Sequence, residues 1–379
     1  MEKNIKITTC LLLVVISIIS IIVVNSNNNS KKIFKKDGVL YALTVDGTST
    51  TSFPSKGLYK ATVTCKNADG KWLYDDWMLS IENITGTVSC DVDFTTISKT
   101  YLNTYITDLS GTTQGEGQVV NENGYRYEGK NPNSYIWFNN EYWRIIGVFD
   151  SASHGQSGKN LVKIVRGETL DGLAWHKSNT NDWTAASLNS LLNGAYYNAT
   201  DGTSSGYCYG GSSTFATGNC DYTKRGIQSG YRGMIANVTW YLGGHSSSDA
   251  TADSFYFYER GTTVYSGNST STTGYIGLMY PSDYGYSVLS SSCARTTKLS
   301  SYISSTCAGA SWLNGKEDEW TLSPYSSCSD EVFYLSNICN LNGIFTDYGY
   351  GVSPVLYLDS SVYKIDGDGS LENPYIIGM

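Results

Sequence analysis

The stretch 135–149, YIWFNNEYWRIIGVF, carries the residue types in this chain that are best suited to recognition. If Asn139 and Asn140 form a two-residue hairpin turn, successive side chains alternate between the two faces of the paired strands. One face then presents Tyr135, Trp137, Tyr142 and Arg144. Tyr and Trp rings stack on a sugar or a peptide while their polar atoms form hydrogen bonds, and Arg adds a cation. These four residues are the candidate ligand-binding set.

The opposite face of the hairpin carries the aliphatic and aromatic residues of a core: Ile136, Phe138, Trp143 and Ile145. Strict alternation also places Ile146 and Val148 on the Tyr/Trp/Arg face, and two aliphatic residues predict that the far end of this face is covered. Two interpretations of the Tyr/Trp/Arg face therefore remain open. It is either an exposed binding platform or a second buried layer.

Two loop patterns resemble functional motifs but favour turns. Gly202–Gly206 matches G-x-S-x-G, but a nucleophile elbow needs a strand before it, a helix after it and a downstream Asp and His. Here the match lies in a Ser/Gly-rich loop, and His245 is the only downstream His. The segment Asp366–Ser370 resembles the start of a calcium loop, but Ser370 and Ile377 stand where that loop needs acidic ligands.

The remaining candidates for acid–base or metal chemistry are an acidic run and three histidines. Glu317–Glu319 predicts solvated charges, with a pair of glycoside-hydrolysing carboxylates as the alternative. His154, His176 and His245 have no second ligand at metal-binding spacing. The sequence therefore predicts no catalytic set, no metal site and no cofactor.

The composition indicates a β-rich secreted protein. The 379 residues include 31 Tyr and 39 Gly but only 6 Pro, and 16% of them are charged. Tyr favours strands, and abundant Gly favours loops. The formal net charge of −8 argues against a nucleic-acid partner, because binding to phosphates needs a basic surface.

The cysteines predict a framework of disulfides. Apart from Cys10, eight cysteines fall into four couples of sequence neighbours with long gaps between the couples. Neighbouring pairs have the smallest loop-closure cost, so local pairing is expected. The predicted bonds are Cys65–Cys90, Cys208–Cys220, Cys293–Cys307 and Cys328–Cys339. Disulfides form in oxidising compartments and thus predict an extracytoplasmic location.

Residues 7–24, ITTCLLLVVISIISIIVV, contain no charged residue and are long enough to cross a bilayer. Lys3 and Lys6 precede this segment, as expected for an N-terminus kept in the cytoplasm. The segment predicts a single-pass membrane anchor with the C-terminal region outside the cell. A signal peptide cleaved near Ser26, which would release a secreted protein, is the alternative.

The chain divides into four predicted parts. They are 1–36, a cytoplasmic stub, membrane segment and polar tether; 37–97, a small antiparallel β domain; 98–119, a helix and linker; and 120–379, a larger mixed domain. In the last part, 181–194 predicts a helix that is capped at Asn181 or Asp182 and stopped at Gly194, and 229–236 a second, shorter one. Strands are predicted at 161–167, 238–242, 255–260, 275–280, 332–336 and 354–358.

Several strings of the large domain occur in a recognisable order: IWFNNEYWRIIGVF, NDWTAASLNSLLN, IGLMYPSDYGY, WTLSP, VFYLS and GVSPVLYL. Their order over residues 120–360 resembles an uncharacterised domain family of secreted and surface proteins in Gram-positive bacteria. That family has the pattern WRII, W-x-x-S-x-L-x-x-x-LN, W-x-L-x-SP and GVRPVLYL. More distantly, the arrangement resembles the C-type-lectin-like fold shared with formylglycine-generating enzymes. Ser353 stands where the family has Arg, and the paired catalytic cysteines of those enzymes have no counterpart here.

Together these features predict an α+β protein with an N-terminal membrane helix, a small antiparallel β domain and a C-type-lectin-like domain with disulfide-stapled loops. The predicted function is that of a non-enzymatic, membrane-tethered surface protein that binds a glycan or a protein. Two rivals remain, namely a structural envelope protein without a ligand of its own, and a hydrolase acting on glycans or peptides.

Overall fold

The computed structural model describes residues 38–178, 180–211, 214–216, 218–307, 309–314 and 317–379, and the backbone of three short N-terminal stretches. The chain forms two compact units, residues 1–99 and residues 100–379. Strand is more abundant than helix, since the structure has about 39% strand and 14% helix. The mixed class predicted from the sequence is confirmed at this level.

The three N-terminal stretches are extended: Ile5–Ile7 (β1), Ile21–Ile22 (β2) and Ile33–Lys36 (β3). Residues 8–20 and 23–32 lie outside the described residues. These ranges include most of the predicted membrane segment 7–24. Within the described ranges, no helix is both long and apolar enough to cross a membrane.

The first unit continues through Val39–Val45 (β4), Thr48–Thr50 (β5), Tyr59–Lys66 (β6), Asp69–Leu73 (β7), Met78–Glu82 (β8) and Ser89–Thr96 (β9). One sheet has the order β2-β3-β4-β9-β6 with β5 beside β4, and the other has the order β1-β8-β7. The expectation of an antiparallel domain needs one correction for the segment 37–97, because β4 and β9 run parallel. Trp72, Trp77 and Phe94 belong to the buried core of this unit, where Trp72 meets the other two rings edge-to-face.

The second unit begins with Thr100–Tyr101 (β10), Leu102–Asp108 (α1), Glu116–Asn121 (β11), Tyr125–Asn131 (β12), Tyr135–Phe138 (β13), Glu141–Phe149 (β14), Ser151–His154 (α2), Leu161–Arg166 (β15) and Leu170–Ala174 (β16). Next come Ser187–Leu191 (α3), a π-helical turn at Leu192–Tyr196, Tyr209–Gly211 (β17), Thr214–Phe215 (β18), Ser229–Arg232 (α4) and Val238–Tyr241 (β19).

The rest of this unit consists of Ala252–Glu259 (α5), Ser271–Gly274 (β20), Ile276–Gly277 (β21), Pro281–Gly285 (α6), a 3₁₀ helix at Leu299–Ser304, Glu319–Pro324 (β22) and Glu331–Leu335 (β23). The last strands are Leu341–Phe345 (β24), Gly349–Val352 (β25), Val355–Leu358 (β26), Tyr363–Asp366 (β27) and Ile376–Gly378 (β28).

Two sheets of the second unit position the site described below. The larger has the order β11-β12-β14-β15-β26-β21, and β13 pairs with β14 outside this path. The smaller has the order β16-β25-β22-β23-β24. Within it, β22 and β25 run parallel, which places Glu319 beside Gly351.

One predicted strand is wrong. Residues 255–260, FYFYER, lie mostly in helix α5 and not in a strand. The helix is started by Thr251, whose side chain accepts a hydrogen bond from the backbone N–H of Ser254, and Asp253 supports its first turn. The run of aromatic residues favoured a strand, but the capping residue Thr251 lies four residues upstream of it and starts a helix.

Three of the four predicted disulfides are confirmed: Cys65–Cys90, Cys208–Cys220 and Cys293–Cys307. The fourth is wrong, because Cys328 and Cys339 are both free. Cys328 lies before strand β23 and Cys339 lies after it, and an extended strand of five residues separates its ends by roughly 14 Å. A disulfide needs Cα atoms within about 7 Å, so proximity in sequence does not suffice here.

A cluster of buried charges holds the larger sheet to helix α6. The carboxylate of Asp283 lies 2.5 Å from Lys163 Nζ and 3.0 Å from Arg126 Nη1, and all three side chains are essentially inaccessible. The rings of Phe149 and Tyr280 flank these cations. The cluster thus joins strands β12 and β15 to a helix that is distant in sequence.

Candidate functional site

The hairpin of strands β13 and β14 forms with the predicted register. Tyr135 pairs with Arg144, and Trp137 pairs with Tyr142. Asn139 and Asn140 both have positive φ, 57° and 60°, as the tightest hairpin turns require. The predicted core face is confirmed, because its four members are fully buried: Ile136, Phe138, Trp143 and Ile145.

A β-bulge changes the alternation beyond the tip of the hairpin. The pairing of β14 with β15 shifts between Ile145 and Gly147, so that Gly147 faces Lys163 and Val148 faces Val162. Val148 therefore lies on the same face as Ile145, not on that of Arg144 as strict alternation predicted. A side chain at Gly147 would lie 2.3 Å from the carbonyl oxygen of Tyr125, so only glycine fits there.

The Tyr/Trp/Arg face of the hairpin borders a cavity of about 720 Å³. All four residues of the candidate ligand-binding set line it: Tyr135, Trp137, Tyr142 and Arg144. The other walls come from the turn after β15, the segment around Trp312 and the start of β22. Ser353 also lines the cavity.

The aromatic wall of the cavity is accessible to solvent. Tyr142 is 41% exposed, and Trp137 and Tyr135 are half-buried. The Trp137 and Tyr142 rings stand edge-to-face with centroids 5.1 Å apart, and Tyr135 meets Tyr142 in the same way at 6.2 Å. Rings fixed against one another lose little conformational freedom when a ligand binds. This wall has the composition and exposure of a recognition surface, and it is not a buried second layer.

Arg144 lies at the inner end of the aromatic wall. Its guanidinium is held between the rings of Tyr135, at 4.0 Å, and Trp312, at 4.6 Å. Nε donates to Ser134 Oγ at 2.8 Å, and Nη2 donates to the carbonyl oxygen of Pro132 at 2.9 Å. Burial lowers the pKa of Arg144 to about 10, partly offset by Tyr135, so the side chain is a cation at neutral pH.

A second arginine is neutralised inside the cavity wall. Arg166 binds the carboxylate of Glu141 through Nε and Nη2, the shortest distance being 2.6 Å. Its Nη1 donates to the carbonyl oxygens of Glu168 and Thr169. This bidentate pair fixes the tip of the hairpin against the turn after β15 and adds no net charge to the site.

The acidic run Glu317–Glu319 divides between two environments. Glu317 and Glu319 line the cavity, whereas Asp318 Oδ1 accepts a hydrogen bond from the backbone N–H of Asn337. Glu319 is only 9% exposed and accepts a hydrogen bond from Ser353 Oγ at 2.8 Å. The expectation of a solvated run is therefore wrong for Glu319.

Glu317 is positioned by a threonine and a glycine. Thr169 Oγ1 donates to Glu317 Oε1 across the mouth of the cavity. A Cβ at Gly351 would lie 2.9 Å from the carboxyl carbon of Glu317, so this glycine leaves the space in which the carboxylate lies. The sequence did not place Trp312, Glu317, Glu319 or Ser353 beside the hairpin, because they are distant from it along the chain.

The other sequence candidates lie away from this cavity. His154 is hydrogen-bonded to Phe149, and His245 to Ser247 and Ser254. His176 accepts from the backbone N–H of Ser187. Burial lowers the pKa of each of these histidines, so they are largely neutral at pH 7. No group of three or more potential metal ligands occurs in the part of the chain that the structure describes.

The turn patterns have structural roles. Asp368 Oδ1 accepts a hydrogen bond from the backbone N–H of Ser370, which closes a turn. Asp201 caps the G-x-S-x-G segment through the N–H and hydroxyl of Thr203.

The cavity therefore combines partly exposed rings, the Arg166–Glu141 ion pair, three further glutamates (Glu168, Glu317 and Glu319) and Arg144, which has no carboxylate partner among the described residues. Such a set can stack on an apolar ring face, accept hydrogen bonds from hydroxyl groups and donate them to an oxygen-rich group. No protein-family model, curated protein or solved structure matches this chain.

Proposed function

We propose that the protein is a cell-surface binding protein that holds a glycan in the cavity beside the 135–149 hairpin. The observation that carries this proposal is the partly exposed wall of Tyr135, Trp137 and Tyr142 that lines a cavity of about 720 Å³. A volume of this order accommodates a small oligosaccharide or a terminal sugar.

The chemistry of the walls suits a sugar better than an apolar ligand. The C–H faces of a pyranose stack on aromatic rings, and its hydroxyl groups donate to carboxylates. Glu317 and Glu319, which line the same cavity as the rings, supply such acceptors. A protein ligand, the other predicted partner, would bury a larger and flatter surface than this concave site offers.

The proposed location is outside the membrane, through an anchor at residues 7–24 or as a secreted form cleaved near Ser26. Three disulfides support an oxidising compartment. The resemblance to surface proteins of Gram-positive bacteria and to the C-type-lectin-like fold supports the same role. In this proposal residues 120–379 are the binding domain and residues 37–97 hold it away from the membrane.

A second candidate function is favoured by one observation. Glu317 and Glu319 both line the cavity, and glycoside hydrolases use two carboxylates near the scissile bond. If the protein cleaves glycans, Glu319→Gln will abolish the release of new reducing ends. If the protein only binds glycans, neither the parent nor the variant will release new reducing ends.

A glycan array probed with the full-length protein in mild detergent tests the binding function. We expect binding to a subset of glycans, with loss of the signal in Trp137→Ala and retention in Tyr207→Ala, a control for an exposed tyrosine outside the cavity. Absence of binding to every glycan and cell-wall preparation would refute the proposal and favour a structural envelope protein.

A further inference from the structure

We infer that the glycan held by this cavity carries a carboxylate group and that Arg144 binds it. This inference rests on the proposed function and names the class of ligand, an acidic saccharide. It comes from the charge balance of the site.

Arg144 differs from the other buried cations. Within the described residues, three Lys or Arg side chains are buried: Arg126, Arg144 and Lys163. Arg126 and Lys163 share the carboxylate of Asp283. Arg144 has no carboxylate oxygen within 4.0 Å among the same residues; its acceptors are a hydroxyl and a carbonyl. A buried charge without a counter-ion is costly, and an anionic ligand would remove this cost.

The guanidinium of Arg144 is oriented for such a ligand. The rings of Tyr135 and Trp312 cover it, so ligands must approach its edge. Nε and one hydrogen of Nη2 are already used, whereas Nη1 makes no hydrogen bond with the described residues. Nη1 and the second hydrogen of Nη2 together form the fork that binds both oxygens of a carboxylate. Two neutral acceptors therefore fix the side chain without consuming its charge.

The remaining charges of the cavity limit the anion to one negative charge. Arg166 and Glu141 neutralise each other, so among the described residues Arg144 is the cation of the cavity wall that lacks a carboxylate partner. Glu168, Glu317 and Glu319 line the same cavity and would repel a phosphate, which carries up to two charges near neutral pH. A sugar with one carboxylate at Arg144 can direct its hydroxyl groups to Glu317 and Glu319. This arrangement favours a uronic acid or a related acidic sugar.

Matched pairs of sugars test the inference on the full-length protein. Calorimetric titration with glucuronate and glucose, galacturonate and galactose, and N-acetylmuramate and N-acetylglucosamine compares ligands with and without a carboxylate. We expect the acidic member of at least one pair to bind about tenfold to a hundredfold more tightly, as for one charge-assisted hydrogen-bonded pair. Arg144→Gln should remove the difference within that pair, and Arg144→Lys should retain part of it. Arg225→Gln, which removes a partly exposed cation outside the cavity, should leave it unchanged.

The outcomes separate this inference from the proposed function. If the neutral sugars bind as tightly as the acidic ones, the role of Arg144 is refuted while the glycan-binding function stands. The same conclusion follows if Arg144→Gln folds normally and keeps the preference. If no sugar binds, the proposed function fails and the inference fails with it. If only peptides with a free C-terminal carboxylate bind, the ligand class is wrong.

Discussion

Replacement of Asp283 by Asn should strongly destabilise the second unit. Among the described residues, the Asp283 carboxylate is the one counter-ion of two buried cations, Lys163 at 2.5 Å and Arg126 at 3.0 Å, and it also accepts from the backbone N–H of Tyr280. An amide has the same shape but no charge. The variant would leave two cations buried beside aromatic rings without a partner.

The magnitude follows from the burial of the ion pair, and the pKa gives its direction. Burial alone would raise the pKa of Asp283, but Lys163 and Arg126 outweigh burial and lower it from 3.8 to about 2. The folded state therefore favours the charged form of this carboxyl. Breaking a buried ion pair by removing one partner costs about 3–5 kcal/mol, because the remaining charge stays buried. We therefore expect a loss of about 3–5 kcal/mol in the free energy of unfolding at pH 7.

Denaturant unfolding followed by tryptophan fluorescence measures this loss. Lys163→Met is the matched variant, because it leaves Asp283 paired one-to-one with Arg126, and we expect it to lose less than Asp283→Asn. The double variant should lose less than the sum of the two single losses, since one unpaired cation is then absent.

The pH dependence of the free energy of unfolding gives a second test of this reasoning. A lowered carboxyl pKa stabilises the folded state above the unfolded value of 3.8, and this contribution disappears as the pH falls from 3.8 towards 2. The deficit of Asp283→Asn relative to the parent should therefore shrink over this range. A loss below about 1 kcal/mol at pH 7, well under the range for a broken buried pair, would refute the reasoning, as would a deficit that does not change with pH.

Three further predictions concern other parts of the structure. Burial raises the pKa of Glu128 from 4.5 to about 8, although the charge of Arg295 opposes this shift, so the folded state loses stability as the pH rises through this range. Glu128→Gln should therefore raise the unfolding temperature at pH 8 but not at pH 5. Equal shifts of the unfolding temperature at both pH values would contradict this. Alkylation without reduction should label Cys328 and Cys339, whereas a peptide that joins them would disprove the free thiols. Tyr142→Ala should weaken glycan binding about tenfold, as expected for an anchoring ring, with little change in the unfolding temperature of this 41% exposed residue.

The local elements of the hairpin could be predicted from sequence because their causes are local. The turn needs positive φ at two residues, which Asn139 and Asn140 tolerate, and alternation then fixes the register. The prediction went wrong where the strand departs from regularity. Gly147 within a strand pattern is itself a signal of a bulge, and with that signal Val148 could have been assigned to the core face.

The contacts between distant segments could not be predicted in the same way. Glu319 and Ser353 line the same cavity as the hairpin, and the parallel pairing of β22 with β25 in a separate sheet places Glu319 beside Gly351. The low cost of closing short loops correctly favoured three disulfides between cysteines that are close in sequence. That cost takes no account of whether the chain between two cysteines is extended or turns back. Strand β23 separates Cys328 from Cys339, so the argument from sequence proximity fails there.

The bulge at Gly147 has a consequence for how this site can change. Arg144 and Val165 line the cavity at one end of a sheet face, and Gly147 and Lys163 continue the same face into the buried charges. The side chains that contact solvent, such as Trp137 and Tyr142, come from the tip of the hairpin, beyond that anchored region. Mutations at the tip can therefore accumulate without disturbing the charged interior. We expect ligand preference to diverge quickly by substitution at these tip positions while the scaffold beneath them stays constant.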